Sequence, residues 1–211
     1  MRDVVCDPIL IRELDKAGSD LRCGVNLICR PPNDVSAFIF DLQNELRAIE
    51  PDQYYYPLPD LHLTLFEIAH SLKPDAAAQI GEMMASRPDV WLTGLCSFTL
   101  RSPRMAYNEH SCLVRFESDE QFTSLRGLIS TRTSMLGVPL KPRYGSASAH
   151  LTFMRYVRPL RTNLTDWSDL LRRLACRTTL TWPVTELWLT WGATWFGMRS
   201  RIKERGPYSL A

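Results

Sequence analysis

Residues 61–75 read LHLTLFEIAHSLKPD, and residues 149–163 read AHLTFMRYVRPLRTN. The two stretches align without a gap, 88 residues apart, with His62, Leu63, Thr64 and Leu65 set against His150, Leu151, Thr152 and Phe153. In a β-strand, successive side chains point to opposite faces. His62 and Thr64 therefore share one face, roughly 6.5–7 Å apart along the strand, and Leu63 and Leu65 share the other. His150 and Thr152 repeat the arrangement against Leu151 and Phe153. One face is suited to a core; the other presents an imidazole and a hydroxyl to something polar. A single His-x-Thr is ordinary sheet-surface chemistry, but two of the chain's four histidines carry it at matching places.

The flanking sequence extends the duplication. Residues 21–30, LRCGVNLICR, form an apolar strand that stops at Pro31-Pro32. Asn33 or Asp34 can cap a helix reaching Ile49, with Phe38, Leu42 and Leu46 on one stripe. Tyr54-Tyr55-Tyr56 and two prolines lead into the first histidine strand at 61–69, and a helix follows Pro74. Residues 89–100 and 104–107 read as two strands around a turn at Ser102-Pro103. The order then restarts: 111–118 occupies the place of 23–30 moved by 88, and a helix runs from Asp119 to Met135. The loop 137–148 replaces the Tyr-Pro segment, and the second histidine strand lies at 149–157. A helix from Thr165 to Cys176, strands at 177–182 and 184–196, and a segment around Tyr208 complete the chain.

Each half is thus strand, helix, histidine strand, helix, strand. A unit this long does not build a solenoid. The expected fold is α+β: a bilobal, pseudo-twofold molecule whose two antiparallel sheets face a central cleft, with helices on their outer faces. Residues 1–20 stand apart as an N-terminal appendage. Residues 21–211 form one bilobal domain with repeat halves of about 21–108 and 109–211. Both His-Thr pairs would meet across the cleft.

Composition bounds the partners. Apolar residues make up 45% and charged residues 23% of 211, ordinary for a soluble globular chain. A net charge of +2 suits a small anionic ligand, or nucleic acid held at one end, better than a protein that coats a duplex. The N-terminus has no apolar run of secretory type, and no stretch approaches the ~18 apolar residues that a membrane span needs. Six cysteines without a CxxC pair point to a reducing, cytoplasmic setting rather than a disulfide framework.

Two opposed imidazoles can divide proton-transfer work. Neutral histidine takes a proton from water, and its protonated partner gives one to a leaving oxygen. At a separation of ~7 Å and an effective dielectric of ~20, two imidazolium charges would repel by roughly 2 kcal/mol, which favours the singly protonated pair. The two threonine hydroxyls are donors suited to a phosphoryl oxygen. Hydroxyls bind zinc poorly, and no HExxH, GxSxG, GxxxxGK[ST] or GxGxxG is present. The pattern suits phosphoester cleavage with no metal and no cofactor.

The twin motifs, their separation and the repeat resemble the 2H phosphoesterase superfamily, which includes RNA 2′,3′-cyclic phosphodiesterases and the proteins called 2′-5′ RNA ligases. The resemblance covers the chain from about residue 21. His62-Leu63-Thr64-Leu65 and His150-Leu151-Thr152-Phe153 match the family's paired HxTx, Phe66 fits the aromatic that follows the first motif, and Arg155 matches an arginine that follows the second. Glu67-Ile68 departs from the Leu-Gly of many bacterial members. The resemblance implies a bilobal fold, no metal, and cleavage of a cyclic phosphate or a 2′-5′ phosphodiester.

The expected catalytic residues are therefore His62, Thr64, His150 and Thr152, with His150 as base and His62 as acid. Substrate-binding candidates are Arg155, Tyr156, Arg143 and Tyr144, with Lys141 in the same loop. Strict alternation turns Arg155 away from His150 unless a bulge intervenes, whereas it gives Tyr156 the histidine's face. Trp188, Trp191 and Trp195 could stack a base or pack in the core; His70 and His110 read as surface residues. The expected activity is hydrolysis of a 2′,3′-cyclic phosphate on a nucleotide or at an RNA end, by a monomer. A 2′-5′ phosphodiesterase or ligase activity, or a non-catalytic module that holds RNA ends, stays open at this point.

Overall fold

A computed structural model describes residues 23–140, 148–174, 179–193 and 202–211. The appendage at 1–20, together with Lys141, Arg143, Tyr144 and Trp195, lies outside the described residues.

The first strand, β1 (Cys23–Cys29), leads through Pro32 into α1 (Asn33–Arg47), and β2 is the short Tyr54–Tyr55. The histidine strand β3 (Leu63–Leu72) is followed by α2 (Pro74–Ser86) and α3 (Pro88–Leu92). Next come β4 (Phe98–Tyr107), β5 (Ser111–Ser118), α4 (Glu120–Met135) and the second histidine strand β6 (His150–Arg155). The chain ends with α5 (Leu164–Leu174), β7 (Thr181–Val184), β8 (Glu186–Ala193) and β9 (Ile202–Ser209).

Local chemistry accounts for most boundaries. Pro74 opens α2, where its missing N–H costs nothing. Asp119 caps α4, one carboxylate oxygen accepting from the Phe122 N–H at 3.1 Å and the other from the Thr99 N–H at 3.0 Å. Helix α1 begins at Asn33 behind Pro32 with no side-chain cap, and its buried stripe is Val35, Ile39, Leu42 and Leu46. Two expectations differ from the structure. Residues 88–92 are helical, and β4 runs through Ser102-Pro103 as one strand by means of a register shift, with Ser102 at φ 47°.

All strand pairings are antiparallel, in the order β7-β4-β5-β6-β3-β1-β8-β9, with β2 also on β6. The two lobes are halves of one curled sheet, joined at the pair Leu63↔Leu151. Their membership is crossed. Strand β4 comes from the first repeat but pairs with β5 of the second, because only Asn108–His110 separates the two. Strands β8 and β9 close the second repeat but extend the lobe of β1 and β3. The helices cross as well, α1 packing on β6 and α4 on β3. Leu63, Leu65, Leu151 and Phe153 are all fully buried on one face of the sheet. On that side α2 meets β8 closely: the place a Gly81 Cβ would take lies 2.3 Å from Trp191 Cγ.

Strand register refines the repeat. Opposite Leu63 stands Cys29, and opposite Leu151 stands Val114. Strands β1 and β5 therefore correspond at 85 residues rather than 88, as Cys29 to Val114 shows. The link to the histidine strand is three residues longer in the second half.

Candidate active site

Antiparallel pairing at Leu63↔Leu151 places His62 and Thr152 on one side of that pair, and Thr64 and His150 on the other. All four leave the buried face, with His150 exposed and the other three half-buried. The structure thus brings the two motifs together at the junction of the lobes.

Each imidazole is held in the same way by its own chain. His62 Nδ1 lies 2.8 Å from the carbonyl oxygen of Asp60, and His150 Nδ1 lies 3.0 Å from that of Ser148. A carbonyl only accepts, so Nδ1 carries the hydrogen in both rings and Nε2 is the lone-pair nitrogen of each neutral imidazole. Ser148 Oγ, 3.1 Å from His150 Nδ1, adds a second contact there.

The surroundings are cationic. Arg115 pairs directly across the sheet with His150, and Arg30 extends β1 by one residue to the corresponding place beside His62. Arg30 is tied to both carboxylate oxygens of Glu204, at 2.7 and 3.0 Å, and donates to the Pro59 carbonyl at 2.7 Å. Arg115 meets no acid among the described residues. Burial pushes His62 down to about 4, helped by the charges of Arg30 and Arg155. His150 is also lowered, first by its partly enclosed position and then by Arg115, Arg126 and Arg155. In both rings the surroundings favour the neutral form.

Arg155 acts on both histidines, and a bulge explains how it faces them. Leu113 pairs with Thr152 but Cys112 pairs with Met154, so Phe153 is an extra residue in β6. Phe153 and Met154 are both fully buried, and the alternation resumes one step late. Arg155 therefore returns to the face of His150, where its Nε donates to the Tyr56 hydroxyl at 3.0 Å. The same bulge corrects the expectation for Tyr156. Instead of lining the cleft rim, it is fully buried, its hydroxyl 3.0 Å from Trp167 Nε1 and 3.2 Å from Cys112 Sγ. Strand β3 carries the twin bulge at Leu65, between the pairs Ile28↔Thr64 and Leu27↔Phe66. It turns Glu67 to the position matching Arg155, where Glu67 Oε1 lies 3.2 Å from His70 Nδ1. His70 thus leaves the plain surface role expected of it.

Of the tryptophans, Trp191 is core, 3% exposed, while Trp188 stands across β1 in the row of Ile28 and Thr64 and is half-buried. Among the described residues, no group of three or more His, Cys, Asp or Glu is gathered as a metal centre would require. Cys29 and Cys112 are buried free thiols. Residues the motifs did not reveal are Arg30, Arg115 and Gln43. Gln43 had a signal, a polar residue inside the apolar stripe of α1.

No family model and no curated protein matches the chain. Solved structures do. TT0787 of Thermus thermophilus superimposes with a TM-score of 0.61 at 16% identity, over 89% of this chain and 97% of that one. E. coli LigT complexed with 3′-AMP gives 0.57 at 12% identity, over 90% and 99%. A structure described as a phosphoesterase gives 0.53 at 14% identity, over 89% and 98%. The chain has the 2H phosphoesterase fold. In this 2H fold the two motifs take their place where the lobes of the curled sheet join, and no helix among the described residues is long and apolar enough to cross a membrane.

Proposed function

We propose that this chain is a metal-independent phosphodiesterase that opens a 2′,3′-cyclic phosphate on a nucleotide or at an RNA end. The observation that carries the reading is the matched pair of imidazoles, each with Nδ1 spent on a backbone carbonyl, flanking one strand pair with a threonine beside each. LigT was solved with 3′-AMP, a nucleoside monophosphate of the kind such a reaction yields.

The electrostatics divide the roles. The lowering of His62 to about 4 supports it as the base, with exposed His150 as the acid. This reverses the roles expected from sequence. His62 Nε2 takes a proton from water as the water oxygen bonds to phosphorus. The bond from phosphorus to one ribose oxygen breaks, and His150 Nε2–H protonates that oxygen. Thr64 and Thr152 donate to the phosphoryl oxygens, and Arg155 offsets their charge. An entering phosphate anion raises both histidines, which supplies the acid its proton. The enzyme acts as a cytoplasmic monomer in this reading.

The test uses nucleoside 2′,3′-cyclic phosphates and bis(p-nitrophenyl) phosphate. His62→Ala and His150→Ala each lower turnover of the cyclic phosphate by about 10²–10⁴-fold. His150→Ala keeps most of its activity on the nitrophenyl ester, whose leaving group needs no proton, whereas His62→Ala does not. Wild-type turnover of the cyclic phosphate by either variant overturns the function. The opposite pattern on the ester overturns only the roles.

A further inference from the structure

Both histidine strands are bent by bulges, and a bulge leaves a backbone carbonyl out of the sheet ladder, which is costly unless it finds a donor. Each carbonyl is capped by a side chain from the helix of the opposite repeat. Arg126 on α4 donates from Nη1 to the Leu65 carbonyl at 2.9 Å. Gln43 on α1 donates from Nε2 to the Phe153 carbonyl at 3.0 Å and to the Tyr56 carbonyl at 2.8 Å. Gln43 is 2% exposed, and both hydrogens of its amide are used.

We propose that Gln43 is a positioning residue for Arg155. Its two acceptors lie on two segments that place that side chain. The Phe153 carbonyl belongs to the bulge that turns Arg155 toward the histidines. The Tyr56 backbone is joined to the same bulge by its own N–H, at 3.0 Å from the Phe153 carbonyl, and the Tyr56 hydroxyl accepts from Arg155 Nε. The amide thus bridges the bulge and the tyrosine, beside the backbone bond and the β2–β6 pairs that also join them, and Arg155 spans the same two segments. Gln43 carries no charge, so it reaches the anion site only through Arg155. Arg126 differs, because its charge acts on His150 directly. Gln43 reaches β6 because the crossed architecture seats the helix of one repeat on the strand of the other.

This inference rests on the proposed anion-binding role of the site, and its test reads binding rather than turnover. Gln43→Met removes the donors and keeps the size. Inorganic phosphate binding is measured by titration calorimetry for wild type, Gln43→Met, Arg155→Met and the double variant. Coupling between groups in one network predicts about fivefold weaker binding for Gln43→Met in the wild-type background and less than twofold in the Arg155→Met background. A merely structural role lowers binding equally in both. Tyr56→Phe, which cuts the hydroxyl contact without opening the core, shows the same dependence on Arg155 and serves if Gln43→Met does not fold. Equal losses in both backgrounds, or no loss for either variant, overturn the inference. The histidine variants, assayed by turnover, decide the function separately.

Discussion

Leu65 and Phe153 hold the same place in two repeats: each is the extra residue of a bulge three positions after its histidine, and each is fully buried. A bulge advances the chain by one residue without advancing the ladder, so every later side chain changes face. Beyond Phe153 this sends an arginine to the site and a tyrosine to the core. Beyond Leu65 it sends Glu67 to the site face and Ile68 to the core.

The neighbours Arg155 and Tyr156 should therefore respond in opposite ways to substitution. Arg155→Met is expected to lower kcat/KM on a cyclic phosphate by about 10²-fold, the effect of losing one preorganised donor to a developing anion, with little change in stability. Tyr156→Phe leaves Trp167 Nε1 without its acceptor and is expected to cost about 1–3 kcal/mol of stability, with kcat/KM unchanged. Urea unfolding and initial rates on both variants check this. A loss of activity confined to Tyr156→Phe would contradict the bulge.

His62 makes stability depend on pH. Its folded pKa of about 4 lies below the ordinary 6.5, so between those values the unfolded chain binds a proton that the folded chain does not. Stability then rises with pH through this window and is lost as pH falls from 6.5 toward 4. His62→Gln is expected to flatten that slope by up to about one proton. Unfolding free energies at half-unit intervals from pH 4 to 7 measure it; equal slopes for wild type and variant would refute the depressed pKa. Because both rings are lowered, the optimum of kcat/KM is expected below pH 6.5.

Gly81 tests the packing behind the site. A Cβ there would meet the Trp191 indole at 2.3 Å, and the indole is 3% exposed with no room to retreat. Gly81→Ala is expected to cost about 1–3 kcal/mol by overpacking. Thermal unfolding should show the loss, while the activity of folded molecules stays near wild type because neither residue reaches the cleft. An unchanged melting temperature would mean that α2 can shift away from β8.

Much of the fold was legible because local patterns set it. Apolar alternation marked β1, β3, β5 and β6, and Asp119 and Pro74 marked the starts of helices that the structure shows there. The exchange of β4 and β8 between lobes was not legible, since the repeat alone does not say which sheet a strand joins. Nor were Arg30 and Arg115, which reach the histidines only across strand pairs. The hydrogen bond of each Nδ1 to the residue two places earlier was equally hidden, because it needs the bend of the chain entering the strand.

The sequence by itself determined that two His-x-Thr strands exist, that each buries its other face, and that they belong to one duplicated unit. These follow from the period-2 geometry of a strand, which the order of residues fully specifies. Only the tertiary structure decided which residues beyond the motifs share the face of the two histidines. That depends on the extra residue three places after each histidine, held by a helix side chain from the opposite repeat; the bulge leaves no mark on the local pattern, and of the two caps only Gln43 does, as a polar residue inside the apolar stripe of α1.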